Sequence, residues 1–173
     1  MTPAERACRL QLSTDSPQQT GQVGMCLGNL LQSGDLICLE GNLGTGKTCL
    51  TQGIGRGLGL EVAITSPTFI IINEYRLPNR RYKLYHIDLY RVQSTAEARV
   101  TGLDDYIYGN GICVIEWAER MRELLPADRL WITMRYLDAT RRGLSFVAQG
   151  ERSQALLEQL RSELGGQKLA FGH

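Results

Sequence analysis

Short apolar runs alternate with longer amphipathic segments along this chain. Residues 9–13 alternate apolar and polar positions, the period of a short strand. Ser16-Pro17 reads as a helix start, with serine at the N-cap and proline at the first helical position. Val23, Leu27, Leu30 and Leu31 follow at helical spacing, which carries that helix to about Gln32. Gly34-Asp35 is a turn, and residues 36–39 form an apolar run of strand length, so a buried strand is expected there. A glycine-rich loop over 41–46 leads into a helix from Lys47 to about Gly59, whose several glycines predict close packing on its neighbours.

The second half continues the alternation. Ser66-Pro67 is a break, because the residue before proline is pushed out of helical space. Residues 68–75 are β-rich, Pro78-Asn79 is a turn and residues 82–90 alternate, which together predict a hairpin. A short helix is expected over 95–103, a short apolar strand over 112–117 and a helical turn over 118–125. Residues 130–136 and 144–149 read as adjacent strands joined by a polar turn, with an antiparallel edge the expected result. An amphipathic helix over 153–164 sets Leu156, Leu157, Leu160 and Leu164 on one face. With no repeat or linker, the expectation is a single α/β domain over 1–165 and a flexible tail over 166–173.

Composition narrows the classes. The 173 residues carry 19 Lys plus Arg against 18 Asp plus Glu, a formal charge of +1, with 43% hydrophobic residues. That excludes wholesale disorder and a low-complexity fibre. The near-neutral balance argues against a free-standing nucleic-acid binder, which shows a basic surplus. The 5 cysteines are odd in number and none is spaced C-x-x-C, so neither a disulfide framework nor a zinc site is expected. Cys38 and Cys113, inside apolar runs, read as small core residues. The first dozen residues lack the apolar stretch of a secretory signal, and no run approaches the ~20 residues that span a bilayer. A cytoplasmic protein with no membrane association is the expectation.

The chemistry concentrates in one string. Gly41-Asn42-Leu43-Gly44-Thr45-Gly46-Lys47-Thr48 matches G-x-x-x-x-G-K-[ST], between a predicted strand and a predicted helix. The glycines let the backbone bring N–H groups close to an anion, and the helix N-terminus adds partial positive charge there. Lys47 is expected to reach the β- and γ-phosphate oxygens and the Thr48 hydroxyl to ligate Mg²⁺. The nucleotide-binding set read from this is Asn42, Leu43, Gly44, Thr45, Gly46, Lys47, Thr48 and Cys49, with ATP or ADP and Mg²⁺ as cofactors. The fold this implies is a P-loop NTPase fold, a mostly parallel central sheet with antiparallel hairpin or edge strands and helices on both faces, the ligand at the strands' C-terminal ends.

Such a loop needs carboxylates at the ends of neighbouring strands. Asp88 ends one apolar run and Glu116 another. Acidic groups are disfavoured inside apolar strands unless they meet a cation or donors. Asp88 is assigned to Mg²⁺, directly or through water, and Glu116 to orienting or deprotonating the attacking water; the two roles are interchangeable on sequence, so Thr48, Asp88 and Glu116 are all metal candidates. A bland reading, in which Asp88 caps a helix or pairs with Arg91 or Arg120, stands beside it. Thr68, in the polar break, is the candidate γ-phosphate sensor.

Gly41…Lys47-Thr48, Ser66-Pro67-Thr68-Phe69, His86-Ile87-Asp88-Leu89-Tyr90-Arg91, Gly102-Leu103 and Glu116-Trp117 together resemble the TsaE (YjeE) family of small bacterial P-loop ATPases, in order and spacing from about residue 16 to 147. The resemblance implies an ATPase needed for the threonylcarbamoyl modification of adenosine 37 in tRNAs that read ANN codons. It implies partners of the TsaB and TsaD type, the TsaD-type protein doing the transfer chemistry and tRNA being met through them. Lys47 and Thr48 then serve phosphate and Mg²⁺, Thr68 is the switch hydroxyl, and Asp88 and Glu116 are the acidic pair. Thr20, in the early Thr20…Gly24…Leu27 pattern, is carried over as a residue near the adenine; on pattern alone it reads equally as an exposed helix residue.

Rival readings differ in class. A GTPase switch needs N-K-x-D and D-x-x-G, and neither string occurs. A small-molecule kinase uses the same loop with an Arg-rich lid, which Arg76, Arg80 and Arg81 could imitate. A non-catalytic nucleotide-binding adaptor is opposed by Glu116. Alone, the chain is expected to be a monomer or weak oligomer.

Overall fold

The computed structural model describes residues 7–66 and 71–166. Seven strands form one sheet in the order β1-β7-β6-β2-β5-β4-β3. Its centre is β2 (Leu36–Glu40), flanked in parallel by β5 (Ile112–Glu116) and β6 (Leu130–Tyr136), with β4 (Lys83–Asp88) parallel to β5. The margins are antiparallel: β3 (Ile72–Arg76) on β4, β7 (Arg142–Ala148) on β6, and β1 (Cys8–Thr14) on β7. The expected hairpin and edge are both present around a parallel centre.

Strand alternation sorts the core into two layers. Ile37 and Leu39 of β2 join Ile112 and Val114 of β5 on one face, against α1 (Pro17–Leu30), α2 (Lys47–Gly57) and α5 (Glu151–Gly166). Leu36 and Cys38 join Cys113 and Ile115 on the other, against α3 (Thr95–Val100), α4 (Leu103–Ile107) and a 3₁₀ helix over Ala118–Leu124. Helices therefore cover both faces. Burying each large apolar side chain stabilises the fold by roughly 1.5–3 kcal/mol relative to exposure. Burial pushes the thiols of Cys38 and Cys113 up to about 12, as befits two core residues.

The glycines of α2 have the use their number predicts. A Cβ on Gly24 of α1 would lie 2.3 Å from the Leu50 carbonyl oxygen, and one on Gly53 of α2 would lie 2.2 Å from that of Gly21. Backbone meets backbone along this seam, and no larger residue fits without moving a helix.

Two elements differ from expectation. The helix over 95–103 is two helices, because Gly102 takes a left-handed φ of 74° and starts α4. The last helix begins earlier than 153, since Asp128 accepts from the backbone N–H groups of Arg152 (3.0 Å) and Ser153 (2.9 Å) and so caps its first turn from a distant loop. It runs through Gly166; the rest of the expected tail, and Thr68 with its neighbours Pro67 to Ile70, lie outside the described residues.

Candidate active site

β2, β4 and β5 are parallel, so Glu40, Asp88 and Glu116 finish at the same edge of the sheet, and Asp88 is in register with Glu116. The loop after β2 turns there into α2. Gly44 and Gly46 hold φ of 80° and 97°, a region that glycine enters without strain. A Cβ on Gly46 would meet nothing nearer than 3.5 Å, so it is the backbone angle that calls for glycine. Gly46 is the N-cap of α2 and brings no side chain to its first N–H groups, whereas Ser16 caps α1 by accepting from Gln19 N–H at 3.2 Å. Uncapped N–H groups and the helix dipole make this end suited to an anion.

Lys47, buried in the first turn of α2, folds back into the loop. Its ammonium donates to the carbonyl oxygens of Gly41 and, at 2.9 Å, Asn42. Burial lowers its pKa, while Glu116, Glu119 and Asp88 pull it back up. Thr48, next along, has its hydroxyl 2.8 Å from Ser66 Oγ and 3.4 Å from Glu116 Oε1. The other oxygen of Glu116 meets Nε2 of the fully buried His86 at 2.5 Å. Asp88 is half-buried; Tyr90 N–H donates to its Oδ1 at 2.9 Å, and desolvation raises its pKa. Asp88 forms a local turn with Tyr90, and Arg120, one of the arginines weighed as its partner, donates to the Val92 carbonyl at 3.0 Å.

These groups border a cavity of about 660 Å³, within the range of small-ligand sites. Lys47, Thr48, Asp88 and Glu116 line it together, as do Leu43, Gly44, Gly46 and Cys49. Thr20 lines it too; it is buried rather than exposed, bonded to Thr14 Oγ1 at 2.7 Å. Asn42 and Thr45 line a second cavity of about 570 Å³ on the opposite side of the loop, where the Thr45 hydroxyl donates to the Asn42 carbonyl at 2.8 Å. Among the described residues of the predicted set, these two are not part of the first cavity's wall. The hairpin arginines Arg76, Arg80 and Arg81 are absent from the cavity wall.

Several wall residues carry no signal of their own in the sequence. Ser66 reaches Thr48, although Thr68 was the hydroxyl singled out in that segment. Arg142, at the start of β7, lines the cavity and donates to the Gly44 carbonyl at 3.1 Å. Trp117 both packs against the core and lines the cavity: it follows Glu116 with φ of 59°, and Lys47 Nζ lies 4.5 Å from its ring centre. The strand alternation that places Asp88 on the α2 side places His86 there as well, a signal legible in advance.

The donor set fits hard-ion and phosphate chemistry. Lys47 and the N-terminal N–H groups of α2 suit phosphate oxygens. One hydroxyl and two carboxylates suit Mg²⁺, which binds through one or two carboxylates plus water and phosphate rather than through an all-protein cage.

The described residues thus form an α/β fold whose seven-stranded sheet carries a glycine-rich loop and an acidic pair at the carboxyl ends of its parallel strands. Residues 14–144 match the sequence model of the family described as threonylcarbamoyl adenosine biosynthesis protein TsaE, and the chain belongs to that family. It is similar to the tRNA threonylcarbamoyladenosine biosynthesis protein TsaE of Bacillus subtilis, 39% identical over 155 residues, which cover 88% of this chain and 94% of the relative. The protein of the same name from Treponema pallidum is 41% identical over 122 residues, 70% of this chain and 88% of that one. A crystal structure of Bacillus subtilis YdiB superposes with a TM-score of 0.75 at 35% identity, covering 91% of this chain and 97% of the other.

Proposed function

We propose that this chain has a P-loop NTPase fold and is a Mg²⁺-dependent ATP hydrolase, serving the synthesis of threonylcarbamoyladenosine at position 37 of tRNAs that read ANN codons. It works in the cytoplasm with partners of the TsaB and TsaD type and meets tRNA through them. The observation that carries the reading is the convergence of Lys47, Thr48 and Glu116: an ammonium inside the loop, with a hydroxyl beside it 3.4 Å from a buried carboxylate. Family membership supports the pathway. Among the described residues, no helix is long and apolar enough to cross a membrane.

The roles follow from position. The N–H groups of the loop and of the first turn of α2 bind phosphate oxygens. Lys47 leaves its carbonyl partners for the β- and γ-phosphates and holds negative charge there. Thr48 and, directly or through water, Asp88 would hold Mg²⁺. When bound, that ion neutralises charge on the phosphates. Glu116 orients the attacking water and accepts its proton. Trp117, Leu43 and Tyr90 at the cavity wall limit access of bulk water. Thr20 contacts the nucleoside end and Thr68 senses the γ-phosphate.

The test follows radiolabelled ATP with and without the TsaB- and TsaD-type proteins. Phosphate released to water, lost in Lys47→Ala and in Glu116→Ala, is expected, with Glu116→Ala still binding ATP. Label on a small-molecule acceptor would replace hydrolase by kinase. Nucleotide binding without release under any condition would leave an adaptor.

A further inference from the structure

His86 has no part in the chemistry above, yet it is the fully buried histidine of β4. The face it shares with Leu84 is apolar up to the two carboxylates, Asp88 and Glu116, at its end: Leu84, Ile112 and Val114 are all fully buried in the same core layer. An aliphatic side chain would be the stable choice there. Instead an imidazole is buried with Nδ1 lacking any hydrogen-bond partner among the described residues. Burying a polar ring atom without a partner is destabilising, and such exceptions call for a reason.

The polar contact His86 does make supplies one. Nε2 meets Glu116 Oε2 at 2.5 Å, while Oε1 of the same carboxylate lies 3.4 Å from the Thr48 hydroxyl. The terminal torsion of a glutamate is broad, so an unheld Glu116 samples many orientations. Fixing one oxygen fixes the other. Thr48 is held in turn by Ser66 at 2.8 Å. The result is a relay of side-chain contacts from β4, through Glu116 at the end of β5, to the first turn of α2.

We propose that His86 is a positioning residue: its Nε2 grips one oxygen of Glu116, so that the other faces Thr48 and the water to be activated. This rests on the role given to Glu116 under the proposed function. His86 touches neither nucleotide nor metal and acts through Glu116 alone.

The test uses the full chain in two arms. In the first, kcat and KM for ATP are measured, with the partner proteins present, for His86→Leu, His86→Gln and His86→Asn, and for His86→Leu combined with Glu116→Gln. The glutamine amide nitrogen reaches about where Nε2 sits; asparagine is polar but too short. His86→Leu and His86→Asn are expected to lower kcat about 10–100-fold with little change in KM, the usual size for loss of an orienting partner. His86→Gln recovers most of that. In the Glu116→Gln background, His86→Leu has no further effect. In the second arm, imidazole ¹⁵N spectra are recorded on the nucleotide-free chain, which has only 2 histidines. The His86 Nε2–H signal is expected to move on Glu116→Gln. A His86→Asn variant with wild-type kcat, or an unmoved Nε2 signal, overturns the proposal while leaving Glu116 its role. A wild-type chain that releases no phosphate even with its partners overturns the hydrolase reading, and this inference with it.

Discussion

Lys47 points its ammonium at the face of Trp117, 4.5 Å from the ring centre, and Trp117 holds a left-handed backbone to meet it. For a bulky aromatic residue that conformation costs on the order of 1–3 kcal/mol. Stacking offsets it: Arg120 lies 5.4 Å from the same ring centre, and Tyr90 packs at a centroid distance of 5.1 Å. A cation held over an indole is worth about 0.5–2 kcal/mol.

Under the proposed function, phosphate would draw Lys47 toward its oxygens and so alter the surroundings of this ring. Nucleotide is expected to change the intrinsic fluorescence of the chain, with the change lost in Trp117→Phe. It should persist in Trp131→Phe, since Trp131 does not line the cavity and its Nε1 donates to Glu40 at 2.7 Å. A signal that survives Trp117→Phe would place the ring outside the binding event.

Glu119 gives a pH-dependent stability. Its Oε2 is buried without a partner among the described residues, and desolvation raises its pKa above the ordinary 4.5, with Glu40 adding to the rise. A carboxyl raised in the folded state binds protons the unfolded chain has released, so its contribution falls as pH rises from 4.5 through the folded value. Glu119→Gln is therefore expected to raise Tm at pH 7, and the gain should vanish below about pH 4.5, where both states are neutral. Thermal melts of both proteins from pH 4 to 8 check the sign.

The α1–α2 seam predicts a contrast between glycines. Gly24→Ala forces a methyl against the Leu50 carbonyl, at 2.3 Å, and against Ile54 N, at 3.0 Å. Overpacking of this kind costs about 1–3 kcal/mol, which for a chain of this size lowers Tm by roughly 2–4 °C per kcal/mol. Gly165→Ala, in exposed helix with nothing within 4 Å, is expected to be neutral or to raise Tm. Equal effects at the two positions would mean the helices yield easily.

The proposed function has tRNA met through partners, and a formal charge of +1 accords with that. The isolated chain is expected to bind tRNA weakly, with an affinity that falls steeply between 50 and 200 mM salt. Filter binding across that range tests this, and tight salt-resistant binding by the chain alone would count against the proposed division of labour.

Local pattern carried most of the fold. Residues 36–39 announce the central strand, and the glycine spacing over 41–48 announces the turn into α2, because both depend on neighbours in sequence. The period of two along β4 and β5 puts Asp88 and Glu116 on the α2 side. What stayed hidden depends on register between distant strands. His86 and Glu116 are 30 residues apart and meet only because β4 lies beside β5 in one particular alignment. Arg142 and Gly44 are 98 apart, and no pattern near either names the other. The break at Gly102 shows the converse: a single left-handed residue outweighed helical composition on both sides.

The bond from Arg142 to Gly44 bears on the order in which the site can come into being. β1 lies at the sheet margin on β7, with Thr14 in register with Arg142, and Thr14 fixes Thr20 through its hydroxyl. The rim of the cavity thus joins the first of the described strands to the last. Chains emerge from the ribosome N-terminus first. A nascent chain therefore displays its whole phosphate-loop motif some hundred residues before the hairpin that closes over it exists, and nucleotide captured during synthesis would meet a half-built rim.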